Sequence, residues 1–99
     1  MTASASWRAS DVTVEATAPA GADVWVAIWE DAPPTKVTRG ENSGETLVAD
    51  RVVRELRHVA DAGHTGVVTI SINPWNAAGA VAFAQRTDRR IVGARVLPR

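Results

Sequence analysis

Cysteine and tyrosine are absent from the 99 residues, and phenylalanine and methionine occur once each. The lack of cysteine excludes disulfides, thiolate metal sites and cysteine nucleophiles. It leaves the compartment open, because periplasmic domains without cysteine are common. Neither sign of charge dominates, since eleven basic residues balance eleven acidic ones. Without a basic stripe to neutralise phosphates, nucleic-acid binding is not expected. No apolar run approaches the roughly 20 residues of a membrane-spanning helix, so no membrane span is expected. The opening residues MTASASWRAS lack an apolar segment, and no signal peptide is expected within them.

Against these absences stand a hydrophobic content of 45% and four tryptophans. A chain of this length buries somewhat over about 60% of its unfolded surface, enough for one core without staples. Residues 1–6 are small and polar and read as a flexible lead-in to a single domain over 7–99. From Asp11 the sequence alternates, with Val12, Val14 and Ala16 on one face and Asp11, Thr13 and Glu15 on the other. That period of two marks a half-buried strand. A turn follows at 19–21.

Residues 23–30 form a strand of another kind. Val24, Val26 and Ile28 make one face and Trp25, Ala27 and Trp29 the other, so both faces are apolar, as in a covered strand. Asp31 and the prolines at 33 and 34 end it. A short strand is expected at 36–39, and a hairpin connection at 40–44, where Gly and Asn supply positive φ. Residues 45–60 are ambiguous. Val48, Val52, Leu56 and Val59 recur at helical spacing, favouring a short helix within 48–60, while a strand reading places Val48, Val52 and Leu56 opposite Val53. Residues 61–64 connect to a clear strand at 66–73, with Val68, Ile70 and Ile72 facing one way and Val67, Thr69 and Ser71 the other. After a turn at 73–76, residues 80–86 give a strand with Val81 and Phe83 expected inward. A turn at 87–90 and a closing strand at 91–97 complete a hairpin. Several short strands with regular turns predict an all-β fold, a small antiparallel β-sandwich of about six to seven strands.

The run Val37-Thr-Arg-Gly-Glu-Asn-Ser-Gly-Glu-Thr-Leu47, then Arg51-Val-Val-Arg54 and a late Ile91-Val-Gly-Ala94, resembles a family pattern. It is similar to the C-terminal part of secreted bacterial thioredoxin-like proteins classed as domain of unknown function 1223. The resemblance spans roughly residues 22–96. It implies a small β-lobe appended to a thioredoxin-fold lobe, a periplasmic or secreted setting, and a strand rather than a helix at 45–60. The thioredoxin-like lobe and its cysteines are missing from these residues, so no redox activity carries over. What remains is an accessory lobe, for which the resemblance implies a binding or structural role.

Trp25 and Trp29 are the leading candidates for a partner- or ligand-binding surface. They sit four apart on one strand and project from the same face. Exposed aromatic pairs bind proteins or stack on sugar rings, whereas a face covered by the domain's own loops would be structural. Trp75, in a turn, is expected to cap the end of the sandwich, with ligand contact the alternative. Trp7 lies in the lead-in. Arg39 and Asn42 belong to the family-like turn with Glu41. Asn42 suits the turn itself, and Arg39 suits a surface ion pair worth up to about 1 kcal/mol or a polar ligand contact.

His58, Asp61 and His64 match no established metal-ligand spacing, so no metal is expected. No Gly-x-Ser-x-Gly elbow occurs, and Glu41 and Glu45 flank a turn rather than lining a desolvated site. The sequence therefore points away from an enzyme and requires no cofactor. It points to a non-catalytic accessory or interaction domain docking on itself, on a thioredoxin-like lobe or in a larger assembly. A glycan-type binding module using the same tryptophans is the alternative.

Overall fold

Alternation of valine with polar residues does build sheets here. A computed structural model describes residues 1–31, 51–73, 75 and 77–99. Among these residues there are seven strands and no helix: β1 (Thr2–Trp7), β2 (Asp11–Thr17), β3 (Ala22–Asp31), β4 (Arg51–Ala60), β5 (Thr65–Ser71), β6 (Gly79–Arg86) and β7 (Ile91–Leu97). They form two antiparallel sheets, β1-β2-β5 and β4-β3-β6-β7. This is the all-β sandwich the turns and periods predict. Residues 51–60 are strand, so the helical spacing of Val52, Leu56 and Val59 is accidental. The short strand expected at 36–39 and its turn at 40–44 lie outside the described residues.

The lead-in expectation for residues 1–6 is overturned. β1 pairs in register with β2 along its whole length, from Thr2 opposite Thr17 to Trp7 opposite Val12. Its small inward residues, Ala3 and Ala5, fit against the core, and Trp7 anchors the end. The Trp7 indole N–H donates to the Pro98 carbonyl at 3.0 Å, and the Arg99 guanidinium lies 4.8 Å from the centre of the Trp7 ring. A short polar segment thus becomes a strand through partners supplied by the far end of the chain. Local pattern carries no trace of such a contact.

The core lies between the sheets. Val12 and Val14 of β2, Val24, Val26 and Ile28 of β3, and Ile70 of β5 are buried together with Ala80, Ala82 and Ala84 of β6. β6 therefore reverses its expected orientation, because Val81 and Phe83 point outward and the alanines point in. The inner faces interdigitate across a layer about 10 Å thick. With branched side chains filling it from β2, β3 and β5, methyl groups are what β6 contributes. Alternating large and small residues is a standard solution to close packing.

Glycine is required at two positions around the β4–β5 connection. Gly63 takes φ 76° in the β4–β5 turn, where His64 N–H donates to the Asp61 carbonyl at 2.9 Å. At Gly66, the second residue of β5, an added Cβ would overlap the Val59 carbonyl oxygen. No helix long and apolar enough to cross a membrane occurs among the described residues.

Candidate functional site

Strand β3 is central in its sheet, so its outward residues lie in the middle of a face. Trp25, Ala27 and Trp29 are those residues, and both indoles are half-buried. Cross-strand partners share a face, which lets the rest of the surface be read from the ladders. Trp25 pairs with His58 on one side and Phe83 on the other; Ala27 pairs with Leu56 and Val81; Trp29 pairs with Val53 and Gly79. One strand further, Phe83 pairs with Ala94, Val81 with Val96 and Gln85 with Ile91. The outward face of the four-stranded sheet is thus largely apolar, with Asp23, His58 and Gln85 gathered at one end. Val53 is 61% exposed, Leu56 57%, Ile91 57% and Val96 62%.

The edge strands make the orientation of this face informative. Inward register positions on β4 carry Arg57, opposite buried Val26, and Glu55, opposite buried Ile28. On β7 the inward position opposite buried Ala82 is Arg95. Arg57 and Arg95 are exposed, and Arg57 pairs with Glu55. Both edge strands thus carry an arginine at an inward position and branched apolar side chains on the outer side, while Val59, Ala60 and Leu97 stay in the core. Inward-pointing charges are a known device of edge strands, whereas branched apolar side chains on an outward face are not.

Two β-bulges set this phase on β4. Between Val24 and Trp25 the register slips, leaving Val59 as the extra residue, and Val59 and Ala60 are both buried. A second slip between Ile28 and Trp29 leaves Arg54 extra, and Arg54 reaches the Glu30 carboxylate with its Nε at 2.6 Å. Bulges re-aim side chains. Here they turn His58, Leu56 and Val53 to the outer face together, although a strict alternation would split Leu56 from Val53. That is why these residues escaped the sequence reading.

Each tryptophan borders a hollow. Trp29 lies over Gly79, where a Cβ would collide with the indole. Beside it a shallow depression of about 300 Å³ is lined by Gly79, Val96, Pro98 and Arg99. At the other end Trp25, Asp23, Gln85, Arg86 and Arg89 line a cleft of about 310 Å³. Arg89 holds φ 70° in the β6–β7 turn, with its carbonyl accepting from the Gln85 side chain at 3.0 Å. A left-handed arginine costs free energy that a glycine would not.

The other candidates separate from this pair. The Trp75 side chain packs against the core while its backbone N–H donates to the Ile72 carbonyl at 2.8 Å, so it belongs to the β5–β6 connection. Trp7 ties β1 to the C-terminal residues. Arg39 and Asn42, with Glu41 and Glu45, lie outside the described residues. His58 joins Trp25 edge-on, with ring centres 5.1 Å apart and an interplanar angle of 85°. Of the histidine-rich trio weighed in the sequence, His58 and Asp61 meet, at 3.3 Å, and Asp23 from β3 takes the place given to His64.

The family described as protein of unknown function (DUF1223) matches residues 1–86, and the chain belongs to that family. The match takes in β1 and ends at Arg86, so the late Ile91–Ala94 signature lies beyond it. No curated protein and no solved structure matches the chain.

Proposed function

We propose that this chain is a non-catalytic accessory domain that docks on a protein surface through the outward face of the β4-β3-β6-β7 sheet. The inverted edge strands carry the reading, since β4 and β7 turn Leu56, Val53 and Val96 outward while holding Arg57 and Arg95 on the inner side. The inward arginines can guard the sheet edges of a monomer, but exposing the branched side chains on the outer face brings a monomer no gain. A domain that receives a second layer on that face gains about 1 kcal/mol for each such side chain covered. The two hollows beside Trp25 and Trp29 give a partner's side chains sites to enter, and buried aromatic anchors dominate interface energies. The partner is a second copy, a thioredoxin-like lobe of the kind the family resemblance implies, or a subunit of a larger assembly.

Solution mass by light scattering, with acrylamide quenching of tryptophan, tests this on the wild type and on Trp25→Ser/Trp29→Ser. A mass above 10.5 kDa that falls to a folded monomer in the double variant identifies a second copy as the partner. A wild-type monomer whose Trp25 and Trp29 are readily quenched leaves the face open for a different protein. A wild-type monomer whose two indoles resist quenching covers its own face and overturns the proposal.

The cleft at Trp25 supports a second reading, a glycan-type binding module. An indole flanked by Asp23, Gln85, Arg86 and Arg89 offers an apolar platform beside hydrogen-bonding groups. Saturable glycan binding lost in Trp25→Ala and retained in Leu56→Lys/Val96→Lys selects this reading. Absence of binding across a glycan array removes it.

A further inference from the structure

We propose that Asp23, His58 and Asp61 form a binding site for a divalent transition-metal cation of the zinc type. The three come from separate places: Asp23 from the start of β3, His58 from the end of β4 and Asp61 from the turn that follows. Their ligand atoms all lie within 4.8 Å of one another. His58 Nε2 is 3.2 Å from Asp23 Oδ2 and 3.3 Å from Asp61 Oδ1. Zinc bonds of about 2.0–2.2 Å in a tetrahedron place neighbouring ligand atoms about 3.4 Å apart. Both histidine–carboxylate separations therefore match edges of that tetrahedron. Asp61 is largely exposed and can swing to close the third edge, which leaves the fourth position to water.

Two features outside the triad hold its ligands in place. The bulge at Val59 delivers His58 to the outer face beside Asp23, where an unbroken ladder would have put Val59 opposite Trp25. The Ala62 N–H donates to Asp23 Oδ1 at 2.9 Å, fixing that carboxylate with its other oxygen towards His58. The edge-on Trp25 ring sets the plane of the imidazole. Oriented ligands of this kind are what distinguish a metal site from loose surface carboxylates. One nitrogen with two carboxylate oxygens suits zinc better than calcium, which takes six to eight oxygens. The site stands at the wall of the Trp25 cleft, at one end of the same outward face, and its test needs no docked partner.

Calorimetric titration of the folded chain with zinc chloride tests the site, with copper(II) quenching of Trp25 fluorescence as a second readout. The wild type is expected to bind one equivalent and to gain thermal stability with added zinc. His58→Gln and Asp61→Asn, both exposed enough to leave the fold intact by circular dichroism, are expected to weaken binding about tenfold or more. His64→Gln is expected to change nothing. No saturable binding below about 1 mM would mean that the three groups form a histidine–carboxylate cluster only, and the proposal falls. Binding that survives His58→Gln, or follows His64 instead, would be adventitious chelation and would also overturn it.

Discussion

The two outward faces of this sandwich differ in composition, hydroxyl-rich on one sheet, where Val67 is the exposed branched apolar residue, and largely apolar on the other. On the three-stranded sheet, Ser6, Thr13 and Thr69 stand side by side, as do Thr2, Thr17 and Thr65. The hydroxyls of Thr13 and Thr69 lie 3.0 Å apart, and those of Thr17 and Thr65 2.8 Å apart. Such a face satisfies itself and water at once, and its threonines suit a pleated surface. The four-stranded sheet shows Trp25, Trp29, Leu56, Phe83 and Val96 instead. Both faces enclose the same core, so packing of that core does not explain the contrast. The hydroxyl-rich face suits water, and the apolar one is the surface we propose a partner covers.

That comparison can be broken, and the largest effect is expected from within. Ile28→Ala removes a buried side chain shared by neither face and should cost about 2–5 kcal/mol in urea unfolding. Leu56→Ala, the same kind of truncation on the outward side of the same sheet, should cost less than about 1 kcal/mol in the isolated chain. Equal losses at the two positions would show that Leu56 is already covered within the monomer, and the contrast between the faces would disappear.

A sharper probe is Leu56→Lys/Val96→Lys. Its isolated stability should stay within about 0.5 kcal/mol per site, while association through the apolar face should be lost in light scattering. Thr13→Lys on the hydroxyl face is the matched control and should leave association intact. If the two variants behave alike, docking does not discriminate between the sheets.

Smaller effects test the margins of the apolar face. Arg89→Gly relieves a left-handed residue and should raise stability by about 1 kcal/mol in thermal unfolding. Any loss of cleft binding in the same variant would show what the strain at that turn serves. Last, Thr13→Val removes one of the paired hydroxyls of the polar face. It should shift stability by no more than about 1 kcal/mol, because the remaining Thr69 hydroxyl can turn to water.

Much of the sandwich is legible in the chain. The alternation at Val12, Val14 and Ala16, the doubly apolar run from Val24 to Trp29, and the split of Ile70 from Thr69 each reappear as written. Each belongs to a strand whose side-chain period is unbroken. The failures have a common cause. β1 is a strand because β2 and the Trp7–Pro98 bond hold it, β6 turns its alanines inward because other strands fill the core, and β4 changes phase twice at its bulges. In each case a partner distant in sequence decides what a residue does.

The site divides in the same way. Trp25 and Trp29 stand out because two indoles four apart on a strand share a face whatever the tertiary structure, and the opposite valines are recognisable as core. Trp75 shows the limit of that logic, since a turn has no period and its indole goes to the core. The face around the pair, from Val53 across to Val96, depends on which strands lie beside β3, and sheet order is not encoded by local period. Asp23 meets His58 and Asp61 for the same reason, across 35 and 38 positions of chain.

What the sequence determined by itself is the class of fold, the buried side of β2, β3 and β5, and the tryptophan pair, because a strand's alternation is a local property of its backbone. What only the tertiary structure decided is the extent of the apolar face, the facing of β6 and the union of Asp23 with His58 and Asp61. Those rest on register and sheet order, which are set by the competition of whole strands for one core.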